Sequence, residues 1–146
     1  SLSTAAMQLM IGSKPAAHQG EYGVAMLNLE RYVNKFVYDV PSMGVMLAHI
    51  ERATDEVSGG LVNMAATLGN KLAPKLNRPF SDIIHAKREF DKFTWSTTTP
   101  NMVLKTRSLA WSDKLPADFQ PIVDKWRQNV KDETEYFDLQ ADKVQA

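Results

Sequence analysis

Along much of the chain, apolar residues return at alternating steps of four and three. Tyr22, Met26, Leu29, Val33, Phe36 and Val40 form one series. Met43, Met46, Ile50, Ala53 and Val57 form a second, and Phe119, Val123, Trp126 and Val130 a third. This spacing gathers side chains on one face of a helix, and such a face must be covered by another helix. It predicts a helix over about residues 21–39, with Phe36 mid-stripe as a core anchor. Pro41 ends it, because the proline ring disfavours helical geometry in the residue before it. Ser42 then caps a helix running to about Val57, where Gly59 and Gly60 break the pattern.

The remaining segments are read the same way. Ser3 or Thr4 caps a short first helix that Gly12 closes. Leu61, Met64 or Ala65, Leu68 and Leu72 form a shorter amphipathic segment stopped by Pro74. Ser81 caps a helix carrying Ile83, Ala86, Phe90 and Phe93. A long last helix begins near Asp118, with Pro121 tolerated in its first turn and Trp126 as its core anchor.

One stretch resists this reading. β-branched Thr97, Thr98 and Thr99 precede Pro100, which disfavours helix over residues 95–100. Residues 102–111 show no clean apolar face, and read either as a helix led by Pro100 or as an extended arm. Residues 93–99 are the strand-like run of note, too little for a sheet. The expected fold is therefore all-α, an irregular bundle of four to five helices. One non-helical aromatic and Thr-rich arm, at about residues 95–111, interrupts a single helical domain spanning 1–146.

A chain of 146 residues suits one domain, and its 44% apolar content is ordinary for a globular protein. Seventeen basic residues balance seventeen acidic ones, so no global charge points to nucleic acid or anionic lipid. The balance is regionally uneven. Lys71, Lys75, Arg78, Lys87, Arg88, Lys92, Lys105 and Arg107 face only Asp82, Glu89 and Asp91 in the middle of the chain. From Asp113 onward the acids outnumber the bases. The simplest reading is two solvated faces.

Cysteine is absent, which excludes disulfides and thiolate metal sites. Apolar runs fall far short of the roughly 20 residues that cross a bilayer as a helix, so no membrane span is expected. No basic residue precedes Lys14, so the charged start of a signal peptide is missing. A Ser-Leu-Ser start fits removal of an initiator Met or cleavage of a precursor. The expected location is cytoplasmic or within an assembled particle, with no sign of secretion.

Candidate chemistry is sparse. Asp82, His85 and Glu89 share one face if their segment is helical, and imidazole and carboxylate are plausible zinc or iron ligands. One helix offers only these three, and neither His18 nor His49 has a partner at ligand spacing, so no metal is expected. The carboxylates Asp132, Glu133, Glu135, Asp138 and Asp142 lack the alternation and glycine of a calcium loop. Ser42, Ser58, Ser81 and Ser112 sit at cap or turn positions, outside any nucleophile elbow. Gly69-Asn70-Lys71 lacks the rest of a phosphate loop. No catalytic residues and no cofactor are assigned.

These readings leave a non-catalytic structural or assembly subunit that self-associates through helical faces, such as a shell, filament or virion component. Met7, Met10, Met26, Met43, Met46, Met64 and Met102 lie mostly on the stripes and suit either a core or an adaptable intersubunit surface. Trp95, Met102, Leu104 and Trp111 are the interface candidates, since buried tryptophans dominate interface energetics. One alternative is a nucleic-acid-binding coat or accessory protein. It would use the eight bases of residues 71–107, with Phe90, Phe93 and Trp95 stacking on bases. The other is a small helical metal protein or enzyme built on His85.

Overall fold

The computed structural model describes the backbone of residues 1–54, 59–68 and 71–144, with side chains of the last helix described to residue 133. The fold is mixed α/β rather than the expected all-α bundle. Its elements run α1 (Leu2–Ile11), α2 (Gln19–Tyr38), β1 (Ile50–Thr54), β2 (Leu61–Ala65), α3 (Ala73–Leu76), β3 (His85–Glu89), β4 (Lys92–Ser96), β5 (Leu115–Pro116) and α4 (Gln120–Val144). They divide into two compact units, Ser1–Phe80 with Pro100–Val103, and Ser81–Thr99 with Leu104–Ala146.

In the first unit, α1 and α2 form close to where the periodicity placed them. Ser1 caps α1 through its hydroxyl, and Gly12 ends it with a positive φ of 60°. At the start of α2, the Glu21 carboxylate accepts from the His18 backbone N–H (2.8 Å) and pairs with Lys14. Ala25, Leu29 and Val33 are buried one turn apart along α2. Leu29 and Val33 meet Leu72 and Leu76 around α3, with Met26, Val37, Leu68 and Phe80 packed on the outside. A second small cluster joins Ala53 of β1, Met64 of β2 and Ala73 of α3. The four-residue α3 thus serves both cores. Residues 101–103 return to this unit, where Val103 N–H donates to Asn63 O (2.9 Å) and Asn63 N–H to Asn101 O (2.7 Å). They extend the β1–β2 hairpin by a short parallel bridge.

The helix expected from Ser42 is instead a segment without helix or strand, residues 41–49, that bends at Pro41 and Ser42 and is followed by β1. Its foreseen end, Val57, lies outside the described residues, as do Gly69 and Asn70. Two features override the helical spacing. A Cβ on Gly44 would lie 2.7 Å from the Phe36 ring, so the segment passes that ring closely enough that any larger residue would have to displace it. The apolar run also reads at a period of two, through Met43, Val45 and Leu47, and short apolar runs do not distinguish the two periods. The amphipathic segment from Leu61 is likewise β2, paired antiparallel with β1 from Ile50↔Ala65 to Thr54↔Leu61.

In the second unit, the helix expected after Ser81 is an antiparallel hairpin, with β3 paired to β4 from His85↔Ser96 to Glu89↔Lys92. The strand-like run judged too small for a sheet is its central strand, flanked by β3 and β5. Trp95 is buried at 9% exposure, and its ring meets Phe119 edge-on at a centroid distance of 4.8 Å. Among the described residues no other helix belongs to this unit, so the apolar stripe of α4 has no helical partner. Trp126 is accordingly 55% exposed and is no core anchor. No helix among the described residues is long and apolar enough to cross a membrane.

Candidate functional site

The Thr-rich segment begins inside the second unit. Ser96 and Thr97 are fully buried. Thr97 N–H donates to Ser112 O (2.9 Å), Ser112 N–H donates to Thr97 Oγ1 (2.9 Å), and Thr97 Oγ1 donates to Ala110 O (2.8 Å). Residues 97 and 110–112 are therefore stitched together by one hydroxyl that acts as both donor and acceptor.

A polar chain runs beside this stitch. Ser96 Oγ donates to Asp113 Oδ1 (2.9 Å) and accepts from Thr99 Oγ1 (2.8 Å). With its proton directed at Ser96, Thr99 accepts from His85 Nδ1 at 3.0 Å, which fixes the tautomer with the proton on Nδ1. Lys87 pairs with the same Asp113 carboxylate. Burial pushes the His85 pKa below its ordinary value, and the Lys87 charge adds to this against the opposing pull of Asp113. The Lys87 and Ser96 hydrogen bonds hold the Asp113 carboxyl below the usual carboxylate range. The group contains a serine, a histidine and an aspartate, but its connectivity is not that of a nucleophile. The Ser96 proton points to a carboxylate rather than to an imidazole, and its oxygen is shut from solvent. The arrangement fixes a loop.

Asp82 is a second hub. Its Oδ1 accepts from Thr106 Oγ1 (2.6 Å), Arg107 N–H (2.9 Å) and Ser108 N–H (3.1 Å), and its Oδ2 from Ser108 Oγ (2.9 Å). Burial raises its pKa, but the hydrogen bonds outweigh burial and the net shift is downward. Asp82, His85 and Glu89 do not share a helix face. Asp82 precedes β3, His85 is bound to Thr99, and Glu89 pairs with Lys114 at 2.9 Å. Among the described residues no three His, Asp or Glu side chains are grouped to hold a metal ion.

The four interface candidates are divided between the two units. Trp95 is packed on Phe119, Leu104 is half-buried, Trp111 stands 69% exposed, and Met102 belongs to the first unit beside Asn63. The eight bases are likewise divided. Lys71, Lys75 and Arg78 lie in the first unit, and Lys87, Arg88, Lys92, Lys105 and Arg107 in the second. Lys75 faces Glu30 at 3.6 Å, Lys87 pairs with Asp113, Lys92 lies opposite Glu89, and Arg88 lies over the Phe93 ring.

The surface that stands out lies elsewhere. Val40, Met43, Val45, Met46, Leu47 and Ile50 are all exposed, Leu47 at 92%. Residues 40–49 carry no Asp, Glu, Lys or Arg. This strip leads into β1, and the two-stranded sheet order leaves one edge of β1 unpaired among the described residues. Leu61 adds to the outer face of the hairpin, being paired with Thr54 and exposed. Two-stranded sheets are marginal alone, and an edge of this kind normally carries charges or proline that block pairing. β1 itself carries the exposed charges Glu51 and Arg52, whereas the strip before it has Pro41 near its start and no Asp, Glu, Lys or Arg. Sequence reasoning placed Met43, Met46 and Ile50 on one helical stripe and Leu61 on a second amphipathic segment, and passed over Val45 and Leu47. The uncharged run itself was the available signal.

No protein family, curated protein or solved structure matches the chain.

Proposed function

We propose that the chain is a non-catalytic structural subunit that associates with copies of itself, and that residues 40–50 with Leu61 form the principal contact. The observation that carries this reading is the run of exposed apolar side chains on a segment free of Asp, Glu, Lys and Arg that leads into the open edge strand β1. Scattered apolar residues on a surface need no explanation, whereas a continuous strip of them marks an interaction surface. The absence of charge along the strip favours a partner that is itself apolar there, and a second copy meets that condition. The exposed outer residues of α2, Val24, Leu27 and Tyr38, lie opposite its buried face and enlarge the apolar area of the same unit.

Sedimentation velocity over a range of micromolar concentrations tests the reading. The unaltered chain is expected to form a species larger than a monomer, and Leu47→Lys to weaken association at least tenfold. A single monomeric species of the unaltered chain at the highest concentration refutes self-association.

A further inference from the structure

α4 outruns the sheet it starts on. Phe119, just before the helix, meets Trp95 of β4. In that three-stranded sheet, β3 and β4 have five residues each, about 17 Å. The 25 residues of α4 extend about 37 Å. The sheet therefore covers the beginning of the helix and not its length. Beyond that contact the stripe stays open, with Trp126 55% and Val130 43% exposed. The stripe also keeps a strict period. In the sequence Val123, Val130, Phe137 and Val144 occupy every seventh position, and Phe119 and Trp126 stand four residues before the first two. A straight helix drifts about 20° per seven residues, so a strict repeat of seven over this length belongs to a helix that winds about another of the same period.

The helices of the first unit do not offer that partner. α2 turns its striped face, with Ala25, Leu29 and Val33, into its own core, and α1 has only ten residues. The charge along α4 points to a second α4 instead. Its first half carries Lys125, Arg127 and Lys131 against Asp124, whereas its sequence from residue 132 carries Asp132, Glu133, Glu135, Asp138 and Asp142 against Lys143. Two such helices laid parallel would set acid beside acid. Laid antiparallel, the basic half of each meets the acidic half of the other, and complementarity of this kind sets orientation and register. Glu133 decides in the same direction. It is exposed and falls on the stripe three residues after Val130. In a parallel pair it would face its own copy, a like charge, whereas in an antiparallel pair it faces an apolar position.

We propose that α4 pairs with α4 of a second copy as an antiparallel two-stranded coil, through the face that carries Val123, Trp126 and Val130. The register of full overlap sets Val130 of each copy beside Glu133 of the other. Both copies use the same face, so the contact is isologous and closes as a two-fold dimer. The proposal rests on the reading of the chain as a self-associating subunit, but not on the strip at residues 40–50.

The test uses the full chain carrying Leu47→Lys, so that the strip contributes little. Sedimentation velocity at micromolar concentrations should then give a dimer. In that background Val130→Glu, which sets a second acid beside Glu133 of the other copy, should weaken the dimer at least tenfold. Glu133→Leu, which removes the charge from the stripe, should tighten it at least tenfold. Both sites are exposed in the single chain, so each variant, diluted until monomeric, should melt with its equally diluted parent. The chain has no cysteine of its own, so engineered thiols report orientation. In a glutathione redox buffer, an equimolar mixture of Val130→Cys and Glu133→Cys should yield mainly the mixed disulfide. Mainly symmetric disulfides indicate a parallel pair and overturn the proposal, as does a dimer that Val130→Glu leaves intact. If the unaltered chain assembles and Leu47→Lys alone is monomeric, this contact fails while the strip stands. If Leu47→Lys changes nothing and Val130→Glu abolishes assembly, the strip fails and this contact stands. A monomeric unaltered chain refutes both.

Discussion

Replacing Asp82 by Ala removes one carboxylate that receives four hydrogen bonds from residues 106–108. Hydrogen bonds to a charged group each contribute about 1.5–3 kcal/mol net, but bonds sharing one acceptor are not additive. The site is half-buried, and Arg107 is exposed, so water reaches some of the released donors. The expected loss for Asp82→Ala is therefore about 2–4 kcal/mol, well below the sum of four such bonds. Asp82→Asn keeps an acceptor and should lose about half as much. The loss should depend on pH. The folded pKa lies below the ordinary 3.8, so the ionised form is the one the fold favours. Its contribution is complete above the unfolded value and fades as pH falls through 3.8 toward the lower folded value. Urea midpoints of the two proteins should thus differ most near neutral pH and converge in acid. Amide exchange gives a local reading, because the Arg107 and Ser108 N–H groups donate to this carboxylate and should lose protection in the variant. Equal urea midpoints at neutral pH, with unchanged protection at those two amides, would refute the reasoning.

Two further predictions concern packing. Trp95→Ala should destabilise the second unit by about 3–5 kcal/mol, while Trp126→Ala should change stability by no more than about 0.5 kcal/mol, since the first ring is buried and the second mostly exposed; similar denaturant midpoints for the two variants would contradict this. Gly44→Ala should cost about 1–3 kcal/mol by driving a methyl group into the Phe36 ring, and Phe36→Leu should recover part of that loss; a double-mutant cycle showing no coupling between the two positions would exclude the contact.

The elements that could be read from the sequence were those whose local signals agreed. For α2, apolar spacing, Glu21 in the first turn and Pro41 after the end all favour one helix; α1 ends at Gly12 as expected, but its cap is Ser1 rather than Ser3 or Thr4, which lie inside the helix. Chain neighbours within four residues carry that information, so no tertiary partner is needed to predict it.

The strands were not legible because their decisive partners lie far along the chain or in an atypical turn. The β3–β4 hairpin turns on Phe90 and Asp91, where glycine or asparagine would have announced it, and the apolar spacing of Ile83, Ala86, Phe90 and Phe93 suits a helix equally well. Whether Met43, Val45 and Leu47 line a helix or an exposed strip depends on the Phe36 ring passing Gly44. The place of Thr97 depends on Ser112, fifteen residues on, and that of Asp82 on Ser108, twenty-six residues on. The sequence by itself determined the helices that local chemistry nucleates and the uncharged run that became the exposed strip. Tertiary structure alone decided which apolar residues are covered, because burial depends on pairings between residues distant in the chain, and a period of three or four cannot record them.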